Sequence, residues 1–184
     1  MKAALKSSLM MVFILFTGAS FPPLAQAETA EVIDIKVNET LKQFTKEVAG
    51  GKEFLKSAKG VLVFPEVIKA GFGLGGEYGE GALRIGGKTV DYYSTASASI
   101  GFQLGAQMKS VIIIFLRKAA LDAFRKSDGW KAGVDGSIAL VTVGAGVTLD
   151  SNTIQDPIIG FVIGNKGLMY NLTLEGSKFT RLVR

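Results

Sequence analysis

The sequence contains neither cysteine nor histidine. Without thiols there can be no disulfide framework and no lipid attachment through a modified N-terminal cysteine, so the fold must hold itself together by core burial. Without imidazole the commonest general base is missing. The Ser-His and Cys-His nucleophile pairs and the usual zinc ligands go with it. Two pairs are left to nominate, Ser110 beside Lys109 and Asp135 with Asp150, and nothing in the sequence makes either converge. The chain therefore reads as a non-enzyme with no catalytic residues. Long apolar runs are also missing: Leu9–Phe16 falls far short of the roughly 20 residues that a helix needs to span a bilayer. There is no dense basic run, so no nucleic-acid partner is expected.

Two apparent motifs do not survive inspection. Gly71-Phe72-Gly73-Leu74-Gly75-Gly76 satisfies the dinucleotide pattern G-x-G-x-x-G, but Glu77-Tyr78-Gly79-Glu80-Gly81 follows, acidic and not helical. A phosphate site needs a helix to begin at those glycines. Asp128, Asp135, Asp150 and Asp156 fall in or near turns without the spacing of a calcium loop, and turn chemistry accounts for them better. No cofactor and no metal site is expected.

The first residues carry an address. Lys2 and Lys6 precede the apolar run, then Gly18 and Pro22-Pro23 break it, and Ala25-Gln26-Ala27 offers the small-x-small pattern that a signal peptidase cuts. The expectation is a cleaved signal over residues 1–27 and a single mature domain over 28–184, periplasmic or secreted. Of 21 basic residues the signal removes two and no acid, leaving 19 against 16 acidic, a net +3. That excess permits contact with anionic surfaces without demanding it.

Along the mature chain, Ile33, Val37, Leu41, Phe44 and Val48 lie in a narrow arc at helical spacing, predicting an amphipathic helix over 31–49 that docks on the core. Its opposite face mixes Lys36, Lys42 and Lys46 with Glu31, Asp34, Glu39 and Glu47, unlike the basic face of a membrane-seeking helix. A shorter helix covers 52–58, and another 118–126, with Leu121 and Phe124 inward. Strands are predicted over 60–64, ending at Pro65, then 70–78, 83–85, 89–93, 97–107, 111–116, 136–149, 158–163, 168–174 and 179–183. Gly86-Gly87 reads as a hairpin turn. In 70–78 the alternation sets Ala70, Phe72, Leu74 and Tyr78 against Gly71, Gly73, Gly75 and Glu77. The pattern Gly-Phe-x-apolar-Gly recurs at 71–75, 101–105 and 160–164. Each copy places glycines where missing side chains allow tight curvature or close approach of another backbone. The fold class that follows is α+β. It is a single glycine-rich, strongly curved or barrel-like antiparallel sheet, with an N-terminal amphipathic helix and a mid-chain helix packed on it.

Basic residues gather at Lys52, Lys56, Lys59 and Lys69, at Arg117, Lys118, Arg125, Lys126 and Lys131, and at Lys178, Arg181 and Arg184. Several ordered segments then resemble one family. These are 58–65 (AKGVLVFP), 69–73 (KAGFG), 75–81 (GGEYGEG), 99–107 (SIGFQLGAQ), 129–136 (GWKAGVDG), and 164–168 with 174–178 (GNKGL, LEGSK). Together they resemble the SYLF domain family over nearly all of the mature chain. The resemblance implies a lipid-binding module. Eukaryotic members bind phosphoinositides and, in some cases, actin filaments; this chain is similar to an exported bacterial branch, for which actin is an unlikely partner. The expected partners are anionic membrane lipids, with Lys52, Lys56, Lys59 and Lys69 as head-group contacts. Two rivals stand beside this: an envelope protein-interaction module docking through its glycine-lined sheet face, and an outer-membrane barrel. The helices and the basic C-terminus weaken the second.

Overall fold

The computed structural model describes residues 28–142, 156–167 and 174–184. Residues 1–27, expected to be a signal, the part of the strand predicted over 136–149 that follows Thr142, the Asp150-Ser151-Asn152 loop and the strand predicted over 168–174, except Leu174, lie outside the described residues.

Helix α1 spans Ala30–Glu47, and Thr29 caps it by accepting from the Val32 amide at 3.4 Å. The predicted stripe is the buried one: Ile33, Val37 and Phe44 are sealed, and Val48 closes the helix end. Gly50, at φ 76°, turns the chain into α2, Gly51–Ser57. Two very long strands follow, β1 (Gly60–Ile85) and β2 (Lys88–Phe115), joined at Gly86-Gly87 with φ 58° and 80°. Both turn residues have positive φ, as a two-residue hairpin whose twist matches its strands requires. Helix α3 (Lys118–Lys126) comes next. The short strands are β3 (Trp130–Lys131), β4 (Ala139–Thr142), β5 (Ile158–Gly167) and β6 (Lys178–Leu182).

β2 organises the sheet. It pairs with β1 along its whole length, and on its other edge with β6 over Tyr92–Ala96 and with β5 over Gln107–Phe115. The sheet is a curled half-barrel, and the fold is α+β with a strongly curved sheet. It is mixed where antiparallel pairing alone was expected, because β4 runs parallel to β5. Parallel neighbours such as β4 and β5 cannot be the two strands of a simple hairpin.

The predicted break at Pro65 does not occur. β1 runs through it, with a register shift between Phe64 and Val67, and the Pro65 carbonyl accepts from Ser110 Oγ at 2.7 Å. Among the described residues β1 pairs only with β2, and on its unpaired side the missing proline N–H breaks no ladder. The alternation over 70–78 is real, but its faces are the reverse of a simple core-in pattern. Leu74 and Tyr78 point outward, 71 % and 49 % exposed, while the glycine-bearing face, with Glu77, turns inward.

Glycine explains how that face fits inside. The ribbon of β1 and β2 folds over near Gly71–Gly75; a Cβ at Gly71 would lie 2.4 Å from the Gly75 Cα. Beyond the fold, β1 lies against its own first half. A Cβ at Gly81 would sit 2.0 Å from the Val63 carbonyl oxygen, and one at Gly79 2.6 Å from that of Glu66. Only a residue without a side chain permits that approach.

Two apolar cores share the central strands. Inside the curl, Leu62, Phe64, Leu83, Tyr93, Ile113 and Phe115 meet Phe124 of α3, Trp130 and Phe179. On the other face, Val61, Val63, Ile112, Ile114, Ile159 and Phe161 receive α1 and α2 through Ile33, Val37, Phe44 and Phe54.

Candidate functional site

The structure separates the four lysines nominated from sequence. Lys52 and Lys56 stand one turn apart on the exposed side of α2, opposite buried Phe54, and Lys59 is exposed just before β1. The Lys59 amide donates to the Phe115 carbonyl at 2.8 Å, which brings the start of β1 beside the end of β2 and hence beside Leu116 and Arg117. Between them opens a groove of about 640 Å³, lined by Ala49, Gly50, Glu53, Phe54, Ser57, Lys59, Leu116 and Arg117. Its lining joins apolar Phe54 and Leu116 to two cations, Lys59 and Arg117, and one carboxylate, Glu53.

Lys69 does not share this surface. Ten residues of extended chain at about 3.3 Å each place it roughly 30 Å further along β1. There it points into the curl and is only 8 % exposed. Its pattern-mates on the inner face are Glu77, Gln107 and Lys109, and Lys109 Nζ pairs with Glu77 Oε2 at 3.1 Å. Alternation in the sequence already put Glu77 opposite the apolar face. The inward turn of that face came from the glycine contacts, which no local pattern announces.

In the remaining basic clusters four members are paired, while Lys126, Lys131 and Lys178 have no ion pair among the described residues. Lys118 pairs with Asp122 at 2.6 Å, and Arg125 and Arg181 converge on Asp91 at 3.2 and 3.6 Å. Arg184 meets Glu80 at 2.6 Å. On α1, Lys36 bridges Glu28 and Glu66 at 2.6 and 2.8 Å, and those hydrogen bonds raise its pKa. Lys52, Lys56, Lys59 and Arg117 likewise have no ion-pair partner among the described residues, and of these Lys59 and Arg117 line the groove. Arg117 is the residue that sequence reasoning missed here. It was grouped with α3, and only the β1–β2 pairing brings it to Lys59.

The pairs nominated for chemistry do not assemble. Ser110 bonds the Pro65 carbonyl while its neighbour Lys109 turns to the opposite face and Glu77. Asp135 accepts from the Lys131 amide at 2.6 Å and closes a turn; Asp150 lies outside the described residues. No cluster of three or more potential metal-ligating side chains occurs among the described residues.

A family model described as Ysc84, Las17-binding protein actin regulator, matches residues 96–182, from the middle of β2 to the end of β6. Over that stretch, a little under half of the chain, the match supports assignment to the SYLF family. Members of the SYLF family are binding modules of the lipid- and actin-binding type. The groove lies mostly upstream of the matched stretch of the SYLF domain, and Leu116 and Arg117 tie the two together. No curated protein matches the chain.

Proposed function

We propose that this chain is a non-catalytic module of the bacterial envelope that binds anionic phospholipid through the groove beside α2. The observation that carries the reading is a groove whose lining sets Lys59 and Arg117, without ion-pair partners among the described residues, beside apolar Phe54 and Leu116, with Lys52 and Lys56 exposed on the same short helix as Phe54. An amphiphile needs those two chemistries side by side. Each basic side chain near an anionic surface contributes about 1 kcal/mol. Export over residues 1–27 belongs to the same reading. It is supported by the position of the Glu28 amide, 3.3 Å from Glu80 Oε2, where a newly freed ammonium would gain an ion pair.

Sedimentation with vesicles tests it. Purified protein should pellet with vesicles containing phosphatidylglycerol, not with pure phosphatidylcholine, and raised salt should release it. Replacing Lys52, Lys56 and Lys59 together by Gln should weaken binding by about 3 kcal/mol, on the order of a hundredfold. Equal, negligible binding to both vesicle types would reject the proposal. The protein-docking rival loses part of its surface, because Gly79 and Gly81 are already covered by the chain's own backbone.

A further inference from the structure

The inner end of the folded ribbon buries more charge than it neutralises. Lys69, Glu77 and Lys109 are 8 %, 6 % and 2 % exposed. Lys69 is the register partner of Gln107 across the β1–β2 ladder, and Lys109 lies two residues on, on the same face. The Gln107 amide nitrogen donates to the Asn165 side-chain oxygen of β5, which closes the cluster from a third strand. Glu77 spends Oε2 on Lys109, but its Oε1 is buried without a partner. Lys69 has no hydrogen-bond or ion-pair partner among the described residues, so this inner face carries two buried ammonium groups and one buried carboxylate.

The open valences specify a ligand. Lys69 offers donors and positive charge, Lys109 has N–H groups beyond the one given to Glu77, and Glu77 Oε1 asks for a donor. A species that satisfies all three carries several acceptor oxygens, negative charge and one hydrogen. We propose that this cluster is a binding seat for a phosphate that retains an ionisable O–H: inorganic phosphate or a phosphomonoester head group. Its charged oxygens sit on Lys69 and Lys109, and its O–H is donated to Glu77 Oε1. Sulfate and simple carboxylates have no hydrogen to give at neutral pH and set an oxygen against the Glu77 carboxylate, so the seat discriminates against them. Lys69 retains more exposure than Lys109, so the seat opens to solvent on the Lys69 side.

The inference is independent of the lipid groove, which lies at the other end of the first half of β1. Isothermal titration of the purified protein with inorganic phosphate at neutral pH should give saturable binding, at least about tenfold tighter than sulfate. Phosphate, not sulfate, should also raise the melting temperature of the unaltered protein. Lys69→Met removes the charge at similar length and should weaken phosphate by about tenfold or more. Glu77→Gln supplies a donor in place of the acceptor and should narrow the phosphate–sulfate gap. The Lys52/Lys56/Lys59 variant should leave the titration unchanged. Vesicles separate the two sources. If Lys69→Met lowers binding to phosphatidic acid but not to phosphatidylglycerol, a diester without the O–H, the seat takes a head group. If it alters only the inorganic titration, the seat takes the free ion. The proposal is overturned if phosphate neither binds nor stabilises in preference to sulfate and Lys69→Met leaves phosphatidic acid binding unchanged.

Discussion

Single glycines in this molecule have unequal work, and the difference is measurable. A methyl group at Gly81 meets the Val63 carbonyl at 2.0 Å, backbone against backbone, with no flexible side chain to yield. Gly81→Ala should therefore cost at least about 3 kcal/mol, or prevent folding outright. A methyl at Gly86 meets nothing within 4 Å, and the only penalty is its φ of 58°. Gly86→Ala should cost about 1–2 kcal/mol. Urea unfolding of the two variants checks the contrast; equal costs would mean the two halves of β1 do not touch. The tyrosines give a second prediction. Burial pushes the Tyr78 phenol up to about 12, helped by the Glu80 carboxylate that its hydroxyl bonds at 2.7 Å. Burial likewise raises Tyr92 and Tyr93, with Asp34 adding to the first and Arg181 opposing the second. These phenols hold their protons more tightly when folded. The stability they contribute is complete below the unfolded pKa of about 10 and is lost as pH rises from there toward 12. Absorbance titration of tyrosinate should show late ionisation in the folded protein, alongside a stability that falls over that window.

At the scale of elements, each helix hangs on identifiable contacts. Asp34 of α1 accepts from Thr89 Oγ1 at 2.7 Å, Tyr92 OH at 3.1 Å and Arg84 Nη2 at 3.4 Å, bolting the helix to the β1–β2 hairpin. Asp34→Ala leaves those donors without their acceptor and should cost about 2–3 kcal/mol. Hydrogen exchange should then speed up across α1 well before it does in β2; unchanged protection of α1 would mean that apolar packing alone holds it. Helix α3 is held differently, by Leu121 and an aromatic cluster centred on one ring. Phe124 lies 5.0 Å from both Tyr93 and Phe115, 5.7 Å from Trp130 and 6.2 Å from Phe179. Phe124→Ala should cost about 3–5 kcal/mol and shift the emission of Trp130, the single tryptophan, to longer wavelength. An unshifted spectrum would contradict the ring cluster.

The whole molecule has two cores divided by one sheet, and the strands between them are buried on both faces. Neither core can open without exposing those strands. Thermal unfolding followed by circular dichroism, dominated by helix, and by Trp130 fluorescence, which reports the inner core, should therefore give coincident transitions. Separated midpoints would mean that the cores melt independently. Local pattern determined much of this. The apolar stripe of α1 at helical spacing, the Gly86-Gly87 turn, the boundaries of α3 and the short apolar runs of the central strands are all written in neighbouring residues, because helix and strand periods are local properties. The basic character of Lys52, Lys56 and Lys59 was legible for the same reason. What neighbours could not specify was contact at a distance. That β1 continues past Pro65 depends on its having an unpaired side there. That the glycine face turns inward depends on Val63 and Glu66 meeting Gly81 and Gly79 across a fold in the ribbon. Lys69 left the surface group, and Arg117 joined it, because strand pairing alone decides which distant residues become neighbours.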